Sequence, residues 1–121
     1  MKVAVIGSRG LTVGDLNDYL PEGVTEIVSG GARGIDTCAR QYALSAKIKL
    51  TEFRPDYERY GRAAPLKRND QIIDYADHIV AIWDGASRGT KYTIDRCQRC
   101  GKPLTVFTLK GVPKNEKANF L

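Results

Sequence analysis

Three glycine-rich turns contain most of the residues in this sequence that could bind a charged ligand. They span residues 7–10, 29–34 and 84–90, and each follows a short apolar run and precedes a stretch of helical character. Each turn also contains one arginine. A phosphate group binds well where three features come together: backbone N–H groups that glycine leaves accessible, the start of a helix, and a guanidinium. The sequence therefore predicts a site for a phosphate-bearing ligand.

The elements around these turns alternate between strand and helix. Apolar, β-branched runs predict five strands, at residues 2–6, 25–29, 48–51, 78–83 and within 102–109. Apolar residues at helical spacing predict helices at 11–20, 35–46, 66–76 and 89–99. This alternation predicts an α/β, Rossmann-like domain of three αβα layers with a five-stranded parallel sheet, and right-handed crossovers favour the strand order 3-2-1-4-5. The three turns would then converge at the carboxyl edge of the sheet, where the strand order reverses.

Two segments do not fit this pattern. Residues 53–65 lack periodicity and are expected to form a long loop, in which residues 57–61 can close over the site as a lid. Residues 110–121 also lack periodicity and are expected to form a basic tail at the surface, so that the domain itself spans residues 1–109.

The composition is that of one globular domain. The 121 residues are 42% hydrophobic and 27% charged, which excludes disorder for the body of the chain. No apolar run approaches the ~20 residues that span a bilayer, and the first apolar run is too short for a signal peptide. We therefore expect no membrane partner and a cytoplasmic location.

Cysteine usage agrees with a reducing compartment, because the chain has an odd number of cysteines, three. Cys97 and Cys100 have C-x-x-C spacing, which supplies two of the four ligands of a closed zinc site. Cys38 and His78 are not expected to complete it, so no metal is predicted. The two residues are expected to be incidental cysteines at the end of a helix, and a redox pair is the alternative.

The basic residues concentrate in the C-terminal third. Residues 88–121 contain eight lysines and arginines against two acidic residues, whereas residues 1–87 contain eleven against twelve. A solvated basic face is the more frequent explanation of such an excess, and binding to nucleic acid is the less favoured alternative.

The candidate ligand-binding residues lie in the three turns and at the start of the third predicted helix. There, Arg68 and Asn69 either reach over the crevice or lie on a solvated surface. Neither a G-x-G-x-x-G fingerprint nor a P-loop is present, so the predicted phosphate cradle is of another kind. The full set of candidates is Gly7, Ser8, Arg9, Gly30, Gly31, Ala32, Arg33, Gly34, Asp36, Arg68, Asn69, Asp84, Gly85, Ser87, Arg88, Gly89 and Thr90.

Two acidic residues are the candidates for catalysis. Asp36 either offsets the dipole of the helix that follows the second turn or accepts a hydrogen bond from a ribose hydroxyl. Asp84 equally suits a structural cap of its own turn, and Ser87 either binds phosphate or caps the next helix. Trp83 is expected in the core rather than stacked on a base, and His78 is expected to be structural.

The combined motifs resemble the SLOG superfamily of Rossmann-like domains, in particular its small bacterial and phage branch related to YspA and YpsA. The matching segments are residues 6–9, 29–36, 60–64, 67–69 and 85–90, and the resemblance covers residues 3–108. It implies a site for a nucleotide or a nucleotide derivative, and a homodimer, which related domains often form. It does not imply one activity, because the superfamily includes LONELY GUY-type phosphoribohydrolases, DNA-processing proteins that bind single strands, and nucleotide sensors.

The hydrolases of this superfamily have a glutamate within one helical turn after a Gly-Gly-x-Gly-Thr motif. Here Lys91, Tyr92 and Thr93 follow the third turn instead. Cleavage of an N-glycosidic bond needs a carboxylate near the anomeric carbon. The leading hypothesis is therefore a sensor or carrier that binds a nucleotide-derived ligand, with no other cofactor indicated. The alternatives are a phosphoribohydrolase or related N-glycosidase that uses Asp36 or Asp84, and a protein that binds single-stranded nucleic acid.

Overall fold

A computed structural model describes residues 1–109 of the chain. Within them, five parallel strands form one sheet in the order β3-β2-β1-β4-β5, which confirms the predicted α/β arrangement and strand order. The strands are β1 (Lys2–Gly7), β2 (Glu26–Ser29), β3 (Lys49–Glu52), β4 (His78–Trp83) and β5 (Leu104–Thr108).

The centre of the sheet is the pair of β1 and β4. These strands align over five residues, from Val3 opposite His78 to Gly7 opposite Ile82. The four middle residues of each strand are buried, because helices cover both faces of the sheet.

Helices lie on both sides of the sheet, as the three-layer prediction requires. They are α1 (Ile35–Ala46), α2 (Tyr57–Tyr60), α3 (Ala64–Tyr75) and α4 (Arg88–Cys100). Successive side chains of β1 point to opposite faces. Val3 and Val5 pack in the same cluster as residues of α1, whereas Ala4 and Ile6 pack with residues of α3 and α4.

The predicted helix at residues 11–20 is wrong. Only Leu16–Tyr19 is helical, as a short 3-10 segment, and it begins where the Asp15 carboxylate accepts a 3.0 Å hydrogen bond from the Asn17 N–H. Leu11 and Leu16 both pack into the core. Gly14 within the predicted helix disfavours a helical backbone, and Leu11 reaches the core from irregular backbone before the 3-10 segment.

The predicted long loop at residues 53–65 is also wrong. This segment contains α2, a 3-10 turn at Gly61–Ala63 and the first two residues of α3. No side chain of α2 is buried, so the segment lacks the apolar spacing by which a helix is recognised. Pro65 lies in the first turn of α3, where no intrahelical N–H bond is lost.

The tail predicted at residues 110–121 lies outside the described residues. Across residues 1–109, none of the helices has both the length and the apolar content that crossing a bilayer requires.

Candidate functional site

A cavity of about 280 Å³ lies at the carboxyl edge of the sheet, beside the junction of β1 and β4. This junction is where the strand order reverses, and all three glycine turns reach it. Eleven of the candidate residues line the cavity, namely Gly7, Ser8, Arg9, Gly30, Ala32, Asp36, Arg68, Asn69, Ser87, Gly89 and Thr90.

The first turn is held against β4 and α1. A Cβ on Gly7 would collide with the carbonyl oxygen of Ile82 and with the side chain of Ile35. The next residue, Ser8, is buried, and its N–H donates to the same Ile82 carbonyl at 3.1 Å. Gly7 is therefore required for close packing, whether or not it also approaches a ligand.

The second turn packs directly on the first. Gly34 has a φ of +70°, and a Cβ there would lie 2.6 Å from the carbonyl oxygen of Ser8 and 2.5 Å from that of Arg9. The two carbonyl oxygens leave no room for a side chain, and glycine adopts a positive φ without steric cost. Glycine is therefore needed here for both reasons. Gly34 does not line the cavity, and its role in the structure is to bring the two turns together.

Arg68 is buried beneath the second turn rather than solvated at the surface. Its Nη1 atom donates to the Gly30 carbonyl oxygen at 2.6 Å, and its Nε atom donates to the Asn69 side-chain oxygen at 2.9 Å. Burial lowers the pKa of the Arg68 guanidinium; the Asp36 carboxylate opposes this effect, and Arg9 adds to it. Arg68 thus brings positive charge to the floor of the cavity at fixed geometry.

Asp36 is the acidic residue that lines the cavity. It is buried in the first turn of α1, and its Oδ2 atom accepts a 3.0 Å hydrogen bond from the Ala32 N–H. Burial raises the pKa of Asp36 above its ordinary value, although that hydrogen bond and the Arg68 guanidinium favour the carboxylate. A buried carboxyl group of this kind can accept a hydrogen bond from a hydroxyl or exchange a proton.

Asp84 has a structural role in the third turn. Its Oδ1 atom accepts hydrogen bonds from the N–H groups of Ala86 at 2.8 Å and Ser87 at 2.7 Å. These bonds, with the Ser87 N–H first, hold the pKa of Asp84 below its usual range, although burial opposes them. Asp84 does not line the cavity, so of the two candidate acids only Asp36 is placed there.

The third turn leads into α4 without a side-chain cap. Ser87 occupies the N-cap position, but its hydroxyl oxygen lies 2.9 Å from the Asp84 Oδ2 atom and 2.9 Å from the Ser8 hydroxyl. The Ser87 carbonyl oxygen accepts a 3.0 Å hydrogen bond from the Trp83 indole N–H. The alternative that Ser87 caps the helix through its side chain is therefore wrong, and Trp83 lies at the base of this turn, packed against the core.

A second depression of about 340 Å³ adjoins the cavity, and we call it the arginine hollow. Arg9, Arg33, Arg54 and Arg68 line it, together with Gly31 and Tyr57. It shares Arg9, Gly30, Ala32 and Arg68 with the cavity.

Sequence reasoning missed some lining residues and included others that lie elsewhere. Arg54 was missed, although its position just beyond β3 puts it at the same sheet edge as the turns. Pro65 was missed because the start of α3 was predicted too late, and Ile72 because an apolar residue inside a helix is typical of the core. Four candidates line neither space, namely Gly34, Asp84, Gly85 and Arg88.

The residues weighed for other chemistry lie away from the cavity. The His78 Nε2 atom is 2.9 Å from the Thr105 hydroxyl, a contact between neighbouring strands. Cys97 is buried and burial raises the pKa of its thiol to about 11, whereas Cys100 is exposed. In the described part of the chain, no group of three or more His, Cys, Asp or Glu residues is arranged to hold a metal ion.

Comparison with known proteins gives one family. No curated protein and no solved structure matches the chain. Residues 1–60, which include the first two glycine turns, match the model of the YspA, cpYpsA-related SLOG family. Together with the order of the sheet and the position of these turns at its reversal point, this match identifies the chain as a member of the YspA, cpYpsA-related SLOG family.

Proposed function

We propose that this protein binds a nucleotide or a phosphorylated nucleoside derivative in the cavity, as a sensor or carrier. The observation that carries the proposal is that α4 begins at the cavity and α1 reaches it with its first turn, and among the described residues neither helix has a side-chain cap. The first N–H groups of a helix have no intrahelical partner. Two such helix starts at one cavity supply a set of donors that suits an anion.

Charge and polarity around the cavity support the same ligand class. Arg9 and Arg68 bring positive charge, and Ser87 and Thr90 add hydroxyl groups next to the start of α4. We propose that a phosphate group binds at this helix start. Asp36 lies across the cavity on α1, where its carboxylate suits the hydroxyl groups of a ribose.

The decisive experiment uses one position at the start of α4. A Cβ on Gly89 would meet no atom within 4 Å, so this residue tolerates substitution. Gly89→Asp places a carboxylate where we propose the phosphate, while a negative charge at a helix start stabilises the fold. Gly89→Asn has nearly the same shape without the charge and is the matched control.

The measurement is calorimetric titration with nucleoside phosphates, ADP-ribose and cyclic dinucleotides. We expect at least one of them to bind the native protein, to bind Gly89→Asn more weakly because its amide takes up part of the same space, and to bind Gly89→Asp much more weakly than Gly89→Asn, while both variants keep their thermal stability. Absence of binding by every member of the panel would refute the proposal. Equal affinity for the Asp and Asn variants would refute the placement of the phosphate.

A second candidate function is N-glycosidic cleavage, which the position of Asp36 favours. Its carboxyl group is buried in the cavity and has a raised pKa, as a proton-transferring group requires. Release of free base from a nucleoside monophosphate, abolished in Asp36→Asn and retained in Asp84→Asn, would establish this activity. No release by the native protein would leave binding as the function.

Cytoplasmic location is part of the proposal, since nucleotides and reduced thiols occur together there.

The homodimer and the binding of single-stranded nucleic acid remain predictions from the sequence.

A further inference from the structure

The arginine hollow has more positive charge than its surroundings neutralise. No aspartate or glutamate is among the described residues that line it. Its nearest acidic partner is Glu52, whose Oε1 atom lies 3.3 Å from Arg54 but only 2.7 Å from Arg40. Glu52 therefore divides its charge between two arginines and leaves Arg54 partly uncompensated.

In the described part of the chain, the other arginines of the hollow form no salt bridge, and the Asp36 carboxylate, which acts on Arg68 and Arg9 through its charge, is one acid against several guanidinium groups. Within residues 1–109, no salt bridge joins Arg9 or Arg33 to an acidic side chain. Arg68 makes its hydrogen bonds to carbonyl oxygens and to Asn69, all of which are uncharged acceptors. Several guanidinium groups that converge on one depression repel one another, and an anion relieves that repulsion while it accepts their hydrogen bonds.

The hollow and the cavity lie on opposite sides of one short partition. Gly30 and Arg68 line both spaces, and the start of α4 lines only the cavity, whereas Arg33 and Arg54 line only the hollow. One ligand can therefore extend across the partition and place a different group on each side. Tyr57, 59% exposed at the edge of the hollow, offers an aromatic surface to the same ligand.

We propose that the arginine hollow binds a second phosphate group of the ligand whose first phosphate lies at the start of α4. This inference rests on the proposed function and narrows the ligand class to nucleotides with at least two phosphate groups. The second phosphate comes either from a diphosphate or from a phosphate elsewhere on the ribose. In both kinds of ligand, the group that Arg33 and Arg54 hold is a second, dianionic phosphate.

The test compares probes that differ in their phosphates only. They are the 5′-monophosphate, the 5′-diphosphate and the 3′,5′-bisphosphate of adenosine and of guanosine, titrated calorimetrically at constant ionic strength. We expect the diphosphate or the bisphosphate to bind about tenfold more tightly than the monophosphate, because the second phosphate adds charge-assisted hydrogen bonds. Which of the two is preferred gives the position of the second phosphate.

Variants of the hollow provide the specific readout. Arg33→Gln and Arg54→Gln remove charge from the hollow and leave the residues of the cavity unchanged. We expect each variant to lower the affinity for the preferred two-phosphate probe by about tenfold and to leave the affinity for the monophosphate unchanged. Arg99→Gln is the control, because it removes the same charge at the other end of α4, away from the hollow.

The outcomes separate this inference from the proposed function. If none of these probes binds, the inference is refuted, and the proposed function is refuted as well if ADP-ribose and the cyclic dinucleotides also fail to bind. If the monophosphate binds as tightly as both two-phosphate probes, or if Arg54→Gln and Arg99→Gln have equal effects, the inference alone is refuted. A short single-stranded oligonucleotide that binds more tightly than every mononucleotide, with an affinity that falls steeply with salt, would replace it with a site for nucleic acid.

Discussion

The guanidinium of Arg68 lies where a side chain on Gly30 would be. Its Nη1 atom donates a 2.6 Å hydrogen bond to the Gly30 carbonyl oxygen, and a Cβ at position 30 would lie 2.5 Å from that nitrogen. The glycine therefore leaves the space that the buried arginine fills. Because both residues line the cavity and the arginine hollow, this contact forms the boundary between the two.

Alanine at position 30 should displace this arginine. The end of a long side chain can move, so we expect Gly30→Ala to lower the free energy of unfolding by only about 1–2 kcal/mol. The larger effect should be on ligand affinity, since Arg68 would no longer be held by the Gly30 carbonyl. Thermal unfolding and calorimetric titration check the two effects, and Gly14→Ala is the control because its added methyl group meets no neighbour and the residue lines neither space. Unchanged affinity in Gly30→Ala would contradict the role of Arg68.

Alanine at position 7 should destabilise the fold itself. The added methyl group would meet the Ile82 carbonyl oxygen, which belongs to a central strand and cannot move without disturbing the sheet. We expect Gly7→Ala to lower the free energy of unfolding by about 2–3 kcal/mol, as overpacking does elsewhere. Denaturant unfolding measures the loss. Gly10→Ala, in the same turn but facing open space, should change stability by less than about 0.5 kcal/mol.

The contribution of Asp36 to stability should fall as the pH rises. A carboxylate that stabilises the fold has the opposite effect. Burial raises its folded pKa above the unfolded value of about 3.9. Between these two values the folded protein holds a proton that the unfolded chain has lost, so the contribution of Asp36 to stability falls as pH rises through this window. The penalty is complete above the folded pKa.

Neutralising this residue tests that sign. We expect Asp36→Asn to be more stable than the native protein at pH 7 and to lose this advantage as the pH falls below about 3.9. Thermal unfolding from pH 3 to pH 8 provides the comparison. A variant that is less stable than the native protein at pH 7 would mean that Asp36 stabilises the fold through its charge, against the direction of its pKa.

Asp84 should matter for the fold of the third turn and not for catalysis. Asp84→Ala removes the acceptor of the Ala86 and Ser87 N–H groups, and we expect a loss of about 1–2 kcal/mol in the free energy of unfolding. Asp84→Asn keeps one acceptor oxygen and should lose less. Chemical denaturation of the two variants measures this difference. Equal losses for both would show that the charge, and not the hydrogen-bond acceptor, is what the turn requires.

The fold was predictable because its strands are recognisable without their neighbours. The run from His78 to Trp83 is apolar and β-branched, and the structure has β4 at these bounds. Short connections and right-handed crossovers then leave few possible strand orders. The helix at Ile35–Ala46 was predicted for a similar reason, since its buried residues recur at helical spacing.

Some features depend on tertiary contacts that no local pattern reveals. Arg68 stands in a charged stretch that is typical of a solvated surface, yet it is buried because Gly30, 38 residues earlier in the chain, leaves room for it. Within residues 53–65, α2 has no buried side chain, so hydrophobic periodicity could not identify it. The arginine hollow likewise requires Arg54 and Arg33 to be brought together by the order of the strands.

The hydrogen bond between the Trp83 indole and the Ser87 carbonyl gives the protein an intrinsic optical reporter. The chain has one tryptophan, and its indole N–H donates to the N-cap residue of α4, which lines the cavity. Fluorescence emission should therefore shift when a ligand occupies the start of α4 and remain steady when an anion enters only the arginine hollow. Spectra of the unlabelled protein can thus distinguish which of the two spaces fills first.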